Sequence, residues 1–223
     1  MESPLLTRLA ALCGALYVVV AVLANDVLGS GSPGSTDSSR EIGAWWAAHP
    51  PSTSDWALGF LDLVALLAFP VFVVVLAWWL QRSDDGWLPW IVLGFGLLSA
   101  VIKLASAAPI FALAWRADTG VSDGLAAALV DMNSAAFMLT WALDAVMLAA
   151  AGGIILRRRC LPRWLGWSGL ASAPLVLAGV PLATSGPPTF LLALLWIVAA
   201  SIALSLRAAQ RSAVPAGVGA TAP

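Results

Sequence analysis

Lys103 is the only lysine of the chain, and it stands inside "LLSAVIKLASAAPIF", a run otherwise apolar enough to cross a lipid bilayer. A charge in hydrocarbon costs at least ~2.5 kcal/mol on insertion scales, so such residues are rare and mark routes for ions, protons or polar solutes. Two carboxylates occupy comparable settings, Asp62 in "DWALGFLDLVALLAF" and Asp144 in "MLTWALDAVMLAA". At helical spacing Lys103 shares a stripe with Gly96, Ser99 and Ser106, while Asp144 shares one with Asn133, Phe137 and Thr140. Asp62 falls with Gly59 and Leu66, and Pro70 follows two turns later. Counting 1.5 Å per residue, Lys103 lies ~24 Å from Trp87, Asp144 ~20 Å from Arg157 and Asp62 ~10 Å from Asp55. All three are then in the outer half of a bilayer, within reach of one another along a flexible lysine stem.

Two chemistries fit that constellation. Asp62, Lys103 and Asp144, with Asn133, Thr140, Ser99 and Ser106 around them, can line an outward-facing polar pocket that binds a small charged solute or passes protons. Alternatively Lys103 and Asp144 form a buried pair that fixes helix register, its attraction roughly offsetting the desolvation of both ions.

Sharper chemistries lack partners. "GWSG" at Gly166 to Gly169 resembles the serine motif of rhomboid-type intramembrane proteases, but no histidine follows Ser168 to activate it. The chain has no HExxH, no His, Cys and carboxylate grouping for a metal and no glycine-rich phosphate loop. A retinal Schiff base on Lys103 would suit the charges, yet the seven spans and last-helix lysine of rhodopsins are missing. No catalytic residue, metal or cofactor is assigned. His49, the only histidine, follows a short helical pattern and reads as its C-terminal cap. Cys13 and Cys160 form no CxxC pair, so no disulfide is expected. Cys160 follows three arginines at a membrane border, where palmitoylation is the alternative to a plain reduced thiol.

The elements that must position these residues follow from composition. With 61% hydrophobic and 10% charged residues the chain cannot form a soluble globule with an ordinary polar surface. Apolar stretches near residues 7 to 28, 56 to 80, 87 to 114, 134 to 156, 166 to 184 and 189 to 207 each approach the ~20 residues of a spanning helix. The fold class is therefore all-helical and polytopic, with six spans in one membrane domain over residues 1–207 and a disordered tail over 208–223. "TSGPP" divides the last two spans as a tight turn, since Gly186, Pro187 and Pro188 cannot continue a helix. "AVLAND" also fits a signal-peptidase site, but one arginine beside Glu2 and a long apolar run favour an uncleaved first span.

Arg8, Arg82, Arg157, Arg158, Arg159, Arg163, Arg207 and Arg211 share one face under six spans, and Arg40 and Arg116 fall opposite. Basic residues in short loops stay cytoplasmic, so both termini are expected there. "RRRCLPR" serves as a topology lock, and a net charge of −1 carries no nucleic-acid signal. The outer loop, residues 29–55, opens on a flexible "GSGSPGSTDSS". It then carries a Ser38/Glu41 capping box ahead of Ile42, Trp45 and Trp46 on one face. That predicts a short amphipathic helix over 39–48 lying on the outer leaflet. From Asp123 to Leu156 a single helix would measure ~50 Å, so its first turns must project beyond the ~30 Å core.

"DWALGFLDLVALLAF", "LVDMNSAAF" and "GGIILRRRCLPRWLGWSGLASAPLVLAG" together resemble a family of bacterial six-span proteins described only as a domain of unknown function. That family repeats an "LGFxxD"-like start of span two and an "lPrxLG" motif before span five. Gly59, Asp62, Leu161, Pro162, Arg163 and Gly166 match these positions. The resemblance implies the six-span topology and a bacterial membrane, and it implies no activity. The chain departs from the pattern where Gly94 to Gly96 replace an earlier basic residue and where Asp144 replaces an apolar one. The expectation is an integral protein of a bacterial cytoplasmic membrane that handles a small solute or ion through an outer polar pocket. The alternative is a non-catalytic assembly subunit contacting a membrane protein partner through small-residue faces and tryptophans.

Overall fold

The computed structural model describes residues 4–23, 32–181 and 189–212, and every regular element among them is helical. The "TSGPP" turn, the "AND" of the candidate cleavage site, the first residues of the linker and the end of the tail lie outside the described residues. The helices are α1 (Pro4–Val22), α2 (Ser39–Ala48), α3 (Thr53–Gln81), α4 (Leu88–Arg116), α5 (Asp123–Arg158), α6 (Arg163–Gly179) and α7 (Phe190–Ser212). Five are long and apolar enough to cross a membrane by length and composition: α1, α3, α4, α5 and α7. The 17 residues of α6 fall short of that measure, where the sequence predicts a span over 166 to 184. Helix α7 runs to Ser212, so residues 208–212 extend a helix rather than begin a tail.

Local chemistry explains where the helices begin and end. Ser38 with Glu41, and Ser52 with Asp55, form reciprocal capping boxes that satisfy the first N–H groups of α2 and α3. Helix α4 starts on Leu88 and Pro89, a position where a missing N–H is harmless. Helix α5 stops at Arg159, whose φ of 55° turns the chain left-handed, and Pro162 then stands immediately before α6.

The helices other than α2 close into a ring in which α1 touches α3 and α7, α4 lies between α3 and α5, and α6 lies between α5 and α7. Side chains fill the centre, among them Tyr17, Phe69, Phe72, Met147, Leu148 and Ile197. Small residues set the approach of α5 to α6: a Cβ on Gly152 would stand 2.7 Å from the Gly166 carbonyl oxygen. These glycines of "AAAGG" and "GWSG" are helix contacts, as membrane packing favours. The Ser168 hydroxyl donates to the Leu165 carbonyl.

Helix α2 has the predicted bounds, but its apolar face meets protein. Ile42 is buried with Leu113 of α4 and Ala126 and Val130 of α5, and Trp46 packs alongside. Gly43 lies so close to the start of α5 that a Cβ would stand 2.9 Å from Asp123 Cα. The first turns of α5 offer an apolar wall, and covering it buries both surfaces at once. His49 caps α2 as expected, its N–H donating to the Trp45 carbonyl and its ring stacked on Trp45 at 4.6 Å.

Candidate functional site

Helices α3 and α4 run antiparallel with a register that two glycines reveal. Gly96 of α4 faces Val73 of α3, and Gly59 of α3 faces Phe111 of α4. In that register Asp62 stands level with Ala107 and Ala108, a little over one turn from Lys103 toward the α2 end of the bundle. Helix α5 is pressed along the other side of α4, and its Thr140 and Asp144 turn inward with Ser99, Lys103 and Ser106.

Lys103 and Asp144 meet. The Lys103 Nζ donates to Asp144 Oδ2 at 2.7 Å and to Ser99 Oγ at 2.5 Å, and Ser99 Oγ donates in turn to Asp144 Oδ1 at 2.6 Å. The hydroxyl thus bridges ammonium and carboxylate, completing a three-residue ring of hydrogen bonds. Lys103 and Asp144 are each 3% exposed, and Ser99 is fully buried. The ammonium also lies 4.8 Å from the centre of the Phe69 ring, a cation–π distance that lessens the cost of burying it. Phe69 is tilted against Tyr17 of α1, with ring centroids 4.8 Å apart.

The other residues of the expected pocket have different roles. Ser106 Oγ donates to the Lys103 carbonyl and Thr140 Oγ1 to the Phe137 carbonyl, so both hydroxyls bond their own helices. Asn133 is half-buried, toward the start of α5. Asp62 is half-buried and does not join the pair. A helical Cα–Cβ bond tilts toward the helix N-terminus, so Lys103 reaches back to Ser99 and away from the level of Asp62. One Asp62 oxygen, Oδ1, is sealed from solvent and makes no hydrogen bond to a described residue.

Tyr17, the only tyrosine, is the residue that spacing did not single out. It is 1% exposed and lies within electrostatic reach of both Asp144 and Asp62. Its signal in the sequence was a lone phenol within an aliphatic span, a side chain whose hydroxyl seeks a polar neighbour when buried. Ser99, Lys103 and Asp144 thus form one polar core between α4 and α5, with Tyr17 of α1 packed behind Phe69 and Asp62 of α3 standing apart from it. A hydroxyl bridging an amine and a carboxylate can pass a proton between them, and an unpaired carboxylate nearby can take a proton or a cation. Among the described residues no group of His, Cys, Asp and Glu is placed to hold a metal ion.

A second charged cluster joins the ends of α3 and α5. Asp84, 1% exposed in its side chain, takes hydrogen bonds from Arg157 Nη2, from Arg158 Nη2 at 3.1 Å and from the Gly86 N–H at 3.2 Å. The Arg157 hydrogen bond holds its carboxyl below the usual carboxylate range. Burial pushes the neighbouring Cys160 thiol up, away from reactivity, and both Cys13 and Cys160 are free.

Residues 12–206 match the family model described as Domain of unknown function (DUF4386). No curated protein and no solved structure matches the chain.

Proposed function

This chain belongs to the DUF4386 family, whose description carries no activity, and from its polar core we propose that it handles a small solute or ion inside the membrane. In this reading the protein lies in a bacterial cytoplasmic membrane and α6 completes six spans. Both termini are cytoplasmic, on the side of Arg157, Arg158 and Arg163, because basic residues resist export. The observation that carries the reading is Asp62. A Lys103–Asp144 pair that served only to lock α4 against α5 is complete with Ser99 and needs no third carboxylate. Asp62 nevertheless stands about one turn outward, one oxygen sealed and unpartnered, with Tyr17 in reach of both acids. An intramembrane acid of that kind is retained for what it binds.

The pair itself is closed in this structure, so access to it requires a movement of α3 or α4, and Pro70 and Pro109 interrupt the backbone ladders of those two helices. One observation favours the second reading, a non-catalytic assembly subunit. Gly94 of α4 is exposed with open space where a Cβ would be, next to exposed Leu98, a small-residue step of the sort that membrane helices use to approach one another.

The deciding experiment is rescue of a deletion strain, grown in competition across external pH and sodium, potassium and amine concentrations. Asp62→Asn, nearly isosteric and at a half-buried position, should fold to the wild-type melting temperature and fail to rescue. Full rescue by folded Asp62→Asn would sink the solute reading. Loss of rescue by Gly94→Leu with Asp62→Asn active would establish the assembly reading instead.

A further inference from the structure

The end of the ring that bears Asp84 presents arginines in excess of acids. Asp84 is the buried anchor. It uses one nitrogen each of Arg157 and Arg158, whose side chains remain 53% and 46% exposed, so their other N–H edges face outward. Arg159, turned left-handed at the end of α5, and Arg163, in the first turn of α6, are both exposed. Four guanidiniums therefore converge on a short connection, and the acids beside them are Asp84, already engaged, and Asp85.

The surroundings fix the depth of this patch. Trp87, beside the Asp84 turn, is 69% exposed, and Trp164, beside Arg163, is 59% exposed. Tryptophan collects at the level of lipid headgroups, with its ring in the acyl boundary and its N–H toward water. Guanidiniums flanked by such rings stand in the plane of the lipid phosphates, and each offers paired N–H donors that match phosphate oxygens.

We propose that Arg157, Arg158, Arg159 and Arg163 form a site for the headgroup of an anionic phospholipid, the Asp84 anchor presetting two of them and Trp87 and Trp164 bracketing the bound lipid. The occupant is a lipid rather than a soluble anion because the tryptophans place the site in the headgroup plane, where anionic lipid is concentrated and free phosphate is not. The inference is independent of the reading given to Asp62.

The test uses the full chain in nanodiscs of phosphatidylcholine alone or with one fifth phosphatidylglycerol or cardiolipin, with retained lipids counted by native mass spectrometry. Wild type should keep anionic lipid over phosphatidylcholine, with a preference that weakens in high salt. The variant Arg159→Gln/Arg163→Gln removes two exposed cations that make no ion pair among the described residues. Its preference should fall about 30-fold, from ~1 kcal/mol per basic residue at the surface. Equal retention of neutral and anionic lipid by wild type would overturn the proposal, as would an unchanged preference in the variant. Thermal stabilisation in phosphatidylcholine by millimolar inorganic phosphate, equal to that given by phosphatidylglycerol, would overturn the choice of a lipid.

Discussion

Replacing Lys103 by Met removes one ion of a pair whose partner cannot leave. At 2.7 Å and an effective dielectric constant near 20, the pair's attraction is ~6 kcal/mol, set against several kcal/mol to desolvate each ion. The intact pair is therefore close to neutral for stability, while its half is not. Asp144, with a side chain 5% exposed, keeps only Ser99 as a partner, and stranding a buried charge in this way costs about 3–5 kcal/mol. Reversible unfolding by dodecyl sulfate in mixed micelles measures the deficit. Lys103→Met/Asp144→Asn, having no stranded charge, should recover most of the loss. A single-variant deficit below ~1 kcal/mol would refute the reasoning and show that the pair is not sealed from solvent.

Ile42→Ala should cost about 2–4 kcal/mol locally, by emptying the contact with Leu113, Ala126 and Val130. Hydrogen exchange should rise in α2, and the melting temperature of the bundle should stay unchanged. Gly152→Val places a branched side chain against the Gly166 carbonyl and should separate α5 from α6, read as faster proteolysis of the connection between them. Because the native Asp84 carboxyl lies below its unfolded value, its contribution is present above the ordinary carboxylate range and withdrawn as pH falls through the lower native value. Asp84→Asn should flatten the acid limb of the stability profile. A cysteine at Ser35 should react with an impermeant maleimide in intact cells while Cys160 does not, and labelling of Cys160 would reverse the orientation.

The helices were legible wherever a run of apolar residues met a chemical stop. Ser38/Glu41 announces its cap, and the bounds of α2 follow directly. The pairing of Lys103 with Asp144 was also legible, because depth counted from the charged boundaries brings the two to one level. Where Asp62 goes was not. Spacing gives its height but not the direction in which the lysine leans, and that direction depends on Ser99, a residue i−4 along the same helix. Tyr17 lay hidden for a related reason, since a single phenol in an aliphatic helix leaves no periodic trace. The docking of α2 depended on the first turns of α5, a surface that one sequence segment cannot reveal about another.

Closure of the ring has a consequence for biosynthesis. Gly14 of α1 lies where a Cβ would meet the Ser201 hydroxyl of α7 at 2.4 Å, so these two helices fit together through a residue with no side chain. A ribosome adding 5–20 residues per second needs roughly 10–40 s to pass from one position to the other. During that interval α1 can rest on α3 alone, its second flank turned to lipid or to whatever insertion factor is at hand. Helix α7 is thus a keystone for α1, and a nascent chain arrested before α7 leaves an open arc whose free flanks invite a neighbouring copy to fill the gap.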